Sequence, residues 1–285
     1  MADTIGNPFS WGFKNVGVAG RNLGHAAQNA GGDDAETMPV LRDIGWADIK
    51  IALRLGAADF LALRSDVIAA CLLYPVIGAC LIWLSYHQGI LPLAFPLVSG
   101  FALIGPVAAI GLYELSRRRE AGEQANWAHT FSVLKAPGFG AILLLSLGLA
   151  AWFVLWLLMA WVLFGLTMGS GANLGAVEFL RQVLTTPGGW AMTLIGIPLG
   201  FCFALVALAV SVVSFPLLID RNIGLPRAVV TSVRLTRQNF RTVLGWGAVV
   251  TAGLIVGAVP LLLGLAVSLP ILGHATWHLY RRAVV

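Results

Sequence analysis

From Val243 to Tyr280 the sequence carries no charged side chain, and from Phe139 to Leu166 it is apolar almost throughout. Runs of this length have few places to go. The hydrocarbon layer of a bilayer is about 30 Å thick, and about 20 mostly apolar residues in a helix span it with every backbone polar group satisfied internally. The whole chain agrees with that reading: 58% of its 285 residues are hydrophobic and 11% are charged, against about a quarter charged in soluble proteins. This composition leaves room for five or six spans and none for a separate soluble catalytic domain.

A spacing recurs. PLVSGFALIGPVAAIGLYELSRR, from Pro96 to Arg118, and PLLLGLAVSLPILGHATWHLYRR, from Pro260 to Arg282, share an opening Pro-Leu-x-x-Gly. Each carries a second proline at the same offset, Pro106 and Pro270, and each closes on an arginine pair. Three mixed polar and apolar segments, Asp43 to Ser65, Asn126 to Pro137 and Asp220 to Arg241, each precede long apolar sequence and end near a phenylalanine, Phe60, Phe139 or Phe240. The first and third interleave basic and apolar residues at roughly helical spacing, the pattern of a helix lying along a membrane surface.

The expected fold is therefore all-α: a six-span transmembrane bundle of three hairpins, each preceded by a cytoplasmic amphipathic helix. Residues 1–40, rich in Gly, Ala and Asn, form an expected flexible cytoplasmic arm, and residues 41–285 the membrane domain. Its spans are placed at about 67–86, 91–113, 139–166, 190–219, 243–258 and 260–280. The last two depend on the repeat. The run from Val243 has no polar turn to mark a hairpin, but Pro260 corresponds to Pro96 near the start of the second span, so the turn falls at about Ala258 to Leu261. Both halves are short, which also admits a partly re-entrant hairpin.

Charge fixes an orientation. With six spans, every Lys and Arg except Arg181 falls on one side. Basic residues collect on cytoplasmic loops, so both termini are expected there. The same rule accounts for the net charge of +5 without nucleic acid.

Few residues invite chemistry. His274 and His278 share a helix face as i and i+4, the weak candidates for a metal or haem, but no Asp, Glu or Cys sits in the same helix. With Trp277 they read better as anchors near the headgroups. Glu114 and Asp220 end even-numbered spans beside arginines, which suggests ion pairs. No ionisable group falls near the middle of a span, which speaks against an ion-coupled transporter. The arginines 117, 118, 119, 227, 234, 237, 241, 281 and 282 are the expected contacts with anionic headgroups or partner proteins. Pro106, Pro198 and Pro270, with nearby glycines, break the even-numbered helices and mark a possible pathway or a site of close packing. No phosphate loop, nucleophile elbow, zincin motif or dinucleotide fingerprint is present, and neither catalytic residues nor cofactors are expected.

Three pieces, FPLVSGFALIGP from Phe95, SFPLLIDRN from Ser214 and GHATWHLYRR from Gly273, resemble a family of bacterial integral inner-membrane proteins classed as a domain of unknown function. The resemblance extends from about Pro39 to the end and implies a multi-pass protein of the plasma membrane. It carries over no activity and no residue roles. Basic surface helices and small residues in the spans suit a non-enzymatic accessory or scaffolding protein among membrane partners, and the rival is a small-molecule or lipid transporter using the broken helices. Accessibility mapping of a tagged carboxyl terminus tests the topology: six spans require it in the cytoplasm, and an external terminus rules them out.

Overall fold

A computed structural model describes residues 38–87, 93–169 and 175–285; the proposed arm lies outside them except for its last three residues. Among the described residues the fold is all-helical, with one isolated β-bridge between Leu41 and Val284. The helices are α1 (Trp46–Cys71), α2 (Leu73–His87), α3 (Ala94–Ala108), α4 (Ile110–Glu120), α5 (Phe139–Met168), α6 (Ala176–Thr185), α7 (Pro187–Ser211), α8 (Ser214–Asp220), α9 (Leu225–Gln238), α10 (Phe240–Ala258) and α11 (Leu265–Ala283), with a 3-10 stretch at Trp127–Lys135. Three stretches are long and apolar enough to cross a membrane: Phe139–Met168, Pro187–Asp220, which joins α7 and α8, and Phe240–Ala258.

The central packing event is an antiparallel crossing of α1 and α11. Gly56 of α1 lies against the backbone of α11, so that a Cβ there would stand 2.5 Å from the Ala275 nitrogen and 2.7 Å from the Ile271 carbonyl oxygen. Small residues permit such approach, which is how helices gain van der Waals contact where water exclusion drives little. On α11 itself Gly273 does the same for α4, where a Cβ would meet Leu112 at 2.5 Å. Beside the crossing the segment leading into α1 is tied to the segment following α11, Arg42 N–H donating to the Ala283 carbonyl at 3.0 Å and Val285 N–H to the Val40 carbonyl at 3.0 Å.

Several expectations about boundaries change. The segment from Asp43 does not stop before a first span: α1 runs unbroken to Cys71, and its apolar stripe, Ile49, Ala52 and Phe60, is buried within the protein. A stripe at helical spacing reads the same whether its partner is lipid or another helix. The mixed segment from Asn126 is mostly the 3-10 stretch, opened by a reciprocal cap between Asn126 and His129. The stretch between the expected third and fourth spans contains α6, whose Val177, Leu180 and Leu184 form one exposed apolar face. The final apolar run is divided by a turn at Val259–Gly264, in which Leu261 and Leu262 take left-handed φ of 53° and 67°.

Breaks inside helices have identifiable repairs. Where α7 gives way to α8, Ser232 of α9 accepts from the Val213 N–H at 3.4 Å and donates to the Ala209 carbonyl at 2.7 Å. The deep tryptophans of α5 also find carbonyls: Trp152 donates to Phe203 at 3.1 Å and Trp156 to Pro96 at 3.2 Å.

Replacement of Gly56 by leucine should force α1 off α11 and cost about 1–3 kcal/mol, the usual penalty of overpacking. A thermal-unfolding midpoint in detergent unchanged in Gly56→Leu would show that the crossing is not a stabilising contact.

Candidate functional site

Two features meet on α11. One of its faces carries polar residues into contact with α1 and α4, and another lines an apolar cavity.

On the polar face, His274 is fully buried and its Nδ1 lies 2.8 Å from the Ser116 hydroxyl of α4. Ser116 donates to Asp59 of α1 at 2.6 Å, and His278 Nε2 lies 2.9 Å from the same carboxylate oxygen. The other carboxylate oxygen faces Arg119 at 3.4 Å. Burial alone would raise the Asp59 pKa; the hydrogen bonds from His278 and Ser116 outweigh it and hold the carboxyl below its ordinary range. His274 Nε2 is buried and closes no hydrogen bond.

The third acidic partner that the histidines lack in their own helix thus comes from α1, far away in sequence. Among the described residues no group of three or more His, Cys, Asp or Glu side chains is arranged to hold an ion. The headgroup-anchor reading also changes, because His274 and Trp277 point into the protein, Trp277 donating to Glu120 at 2.8 Å.

The arginines divide into two sets. Arg117 and Arg118 both bind the buried carboxylate of Glu114, each at 2.7 Å, with Ser132 at 3.0 Å. Burial would raise the Glu114 pKa, but these partners hold it below the ordinary glutamate range. Arg281 bridges Glu120 at 3.1 Å and Asp220 at 3.3 Å, and Arg282 pairs with Asp48. Five of the arginines singled out by sequence, counting Arg119, thus bind carboxylates of the same chain. Arg227 is partly buried on α9, while Arg234, Arg237 and Arg241 are exposed with no ion pair among the described residues.

The cavity lies between α2, α3, α7, α10 and α11 and has a volume of about 710 Å³, within the range of about 300–1,000 Å³ typical of small-molecule pockets. Leu81, Leu103, Leu208, Trp246 and Leu269 represent its walls, and no charged side chain or histidine lines it among the described residues. Hydroxyls that reach it are already used: Ser211, Thr251 and Thr276 donate to carbonyls of their own helices, at 2.6, 2.9 and 2.8 Å. Such a wall offers a guest contact area and few hydrogen bonds. Of the three helix-breaking prolines, Pro106 lines the cavity, Pro270 is buried elsewhere in α11, and Pro198 is exposed on α7.

Comparison with known proteins fits this membrane architecture. Residues 94–220 match the family described as predicted integral membrane protein (DUF2189). The match takes in α3 to α8, including FPLVSGFALIGP and the SFPLLID of SFPLLIDRN, and ends before GHATWHLYRR. No curated protein and no solved structure matches the chain.

The depressed carboxyls give a stability profile with a definite sign. Asp59 and Glu114 have folded pKa values below their reference values of 3.8 and 4.5. Their contribution is therefore present above those values and is lost as pH falls through the folded ones. The thermal midpoint in detergent should fall as the pH drops below about 4.5, less steeply in Glu114→Gln, which should be the less stable protein at pH 7. An identical acid slope in the two proteins would remove Glu114 from this account.

Proposed function

We propose that the protein is a six-span plasma-membrane protein, both termini cytoplasmic, that holds the acyl chain of a lipid or lipid-like molecule inside its bundle. The observation that carries the reading is the cavity wall. Its volume of about 710 Å³ is walled mainly by apolar side chains, and the hydroxyls of Ser211, Thr251 and Thr276 are satisfied within their own helices. An apolar cavity takes up water poorly, and left empty it forfeits dispersion contacts on every side. Hydrocarbon is the abundant occupant where the walls are membrane helices. A polar solute would lose its hydration there and gain no partners. We read the role as non-enzymatic and the broken helices as the means of making room, which favours lipid handling over transport of polar small molecules.

The six-span topology has support from the turn at Val259–Gly264 and from α3, an apolar helix of 15 residues that leads through Ala109 into the first turn of α4. The cytoplasmic side is then the one carrying the networks of Glu114, Glu120, Asp220 and Asp48. An accessory role among anionic lipids or partner proteins keeps one specific support, the exposed arginines 234, 237 and 241 around the end of α9.

Purification in mild detergent followed by mass spectrometry separates the two. Lipid handling predicts a lipid retained near one per chain, and predicts its loss in Ala204→Trp, which fills the cavity from α7. A lipid-free chain that instead brings a stoichiometric partner protein would overturn it in favour of the accessory role.

A further inference from the structure

We propose that Asp59, Ser116, His274 and His278 form a proton-binding relay that couples protonation at the polar end of the bundle to occupancy of the cavity.

The hydrogen positions follow from counting. Ser116 has one proton, and the ionised Asp59 at 2.6 Å needs it. His274 must then supply the proton of the 2.8 Å contact from Nδ1, which leaves its buried Nε2 without a proton and with no well-formed hydrogen bond, the Leu112 carbonyl of α4 being the backbone acceptor beside the ring. His278 donates from Nε2 to Asp59, which leaves its Nδ1 bare as well. Two imidazoles thus converge on one carboxylate, each with a vacant nitrogen. They differ in access: the His278 side chain is 12% exposed, whereas His274 has no exposed surface. A continuous chain, His278 to Asp59 to Ser116 to His274, joins the accessible ring to the enclosed one.

Charge makes the site responsive. With both rings neutral, Asp59 and Arg119 balance, Arg119 also being held by its donation to the Ala58 carbonyl at 3.0 Å. One proton on either ring brings the set to +1, and a cationic imidazole competes with Arg119 for Asp59. From α2, which also packs against α11, the described titratable side chains are Cys80, Tyr86 and His87. From α1 comes Asp59; from α4 come Ser116 and Arg119, with Glu120 already taken by Trp277 and Arg281; from α8 comes Asp220, taken by Tyr280 and Arg281. On α11, Arg281 and Arg282 follow, the latter paired with Asp48 of α1, and α10 carries no titratable group beyond Arg241 at its start. Among the described side chains around the relay, no second carboxylate is free to absorb the added charge. Imidazole is the side chain whose charge changes between about pH 5 and 8.

Position supplies the coupling. His274 lies beside Gly273, which lines the cavity and packs against Leu112 of α4, and His278 lies two residues beyond Thr276, another wall residue. Tyr113 on α4 also lines the cavity, three residues before Ser116. Any shift of α11 against α4 at the relay therefore moves two walls. Protonation should loosen that contact and weaken retention of the guest. The coupling rests on the lipid reading above; the proton site does not.

The test uses the full chain in detergent and two readouts. Histidine side-chain NMR follows protonation directly, and a phosphatidylcholine with a pyrene-labelled acyl chain, whose headgroup does not titrate between pH 5 and 8, reports the cavity. The expected results are a titrating signal lost in His278→Gln, and a probe affinity at least about fivefold weaker at pH 5 than at pH 8 that becomes flat in the same variant. Should His278→Gln fold poorly, Asp59→Asn provides the second variant, with the same flattening expected. Absence of any relay histidine that titrates between pH 4 and 8 would overturn the proton site. A wild-type affinity independent of pH, with a histidine that titrates, would overturn the coupling. Failure of the probe to bind at any pH would overturn the lipid reading and the coupling together, and leave the NMR titration to decide the proton site.

Discussion

The backbone contact between α1 and α11 at Gly56 and Ala275 is what the remaining arrangement depends on. Helices that close approach only with small residues at the crossing, and the approach brings everything flanking the crossing into reach. Asp59 lies three residues beyond Gly56, and His274 and His278 flank Ala275. The polar contacts of this site are therefore consequences of a steric fact. A bulkier residue at position 56 would separate the acid from the imidazoles before any hydrogen bond was altered.

The polar end follows the same logic at larger scale. Glu120 and Asp220 end helices, Asp48 lies in the first turn of α1 and Glu114 in the middle of α4, and each is met by arginines of α4 or α11. Exposed pairs of this type add little individually. Glu114 is different, because its carboxylate is buried and receives three partners, which is the condition under which a buried charge is tolerated. Arg281, joined to both α4 and α8, ties the ends of three helices with one side chain.

What the sequence reveals and conceals follows from the range of each signal. Hydropathy reads off a stretch of chain, so the helical class, the apolar runs and the ion pairs of Glu114 with the adjacent Arg117 and Arg118 were legible. The partner of a stripe is not a local property, so α1 reads as a surface helix although its stripe packs within the protein. The Asp59–His278 contact spans 219 positions, and a single sequence holds no trace of it. Searching one helix for a third ligand could not have found it. α6 is concealed for another reason: Val177, Leu180 and Leu184 form a helical face, but the helix has only ten residues and is bounded by Gly175 and Thr186, residue types that favour turns. The turn at Val259–Gly264 contains no polar marker, and leucines in left-handed conformation make it. Only the recurrence of Pro-Leu-x-x-Gly pointed near it.

Segregation of polar and apolar groups on α11 limits what the bundle can do. A membrane helix ordinarily hides its polar residues from lipid by turning them toward other helices. Here that rule sends His274 and His278 toward α1 and α4, and leaves Leu269, Leu272, Gly273 and Thr276 to the cavity. Among the described residues a solute in the cavity meets no charged side chain and no histidine, and a proton on the relay meets no solute. The two can therefore influence one another only through the helix that carries both, by its displacement against α4 at Gly273, where there is no side chain to cushion the contact with Leu112.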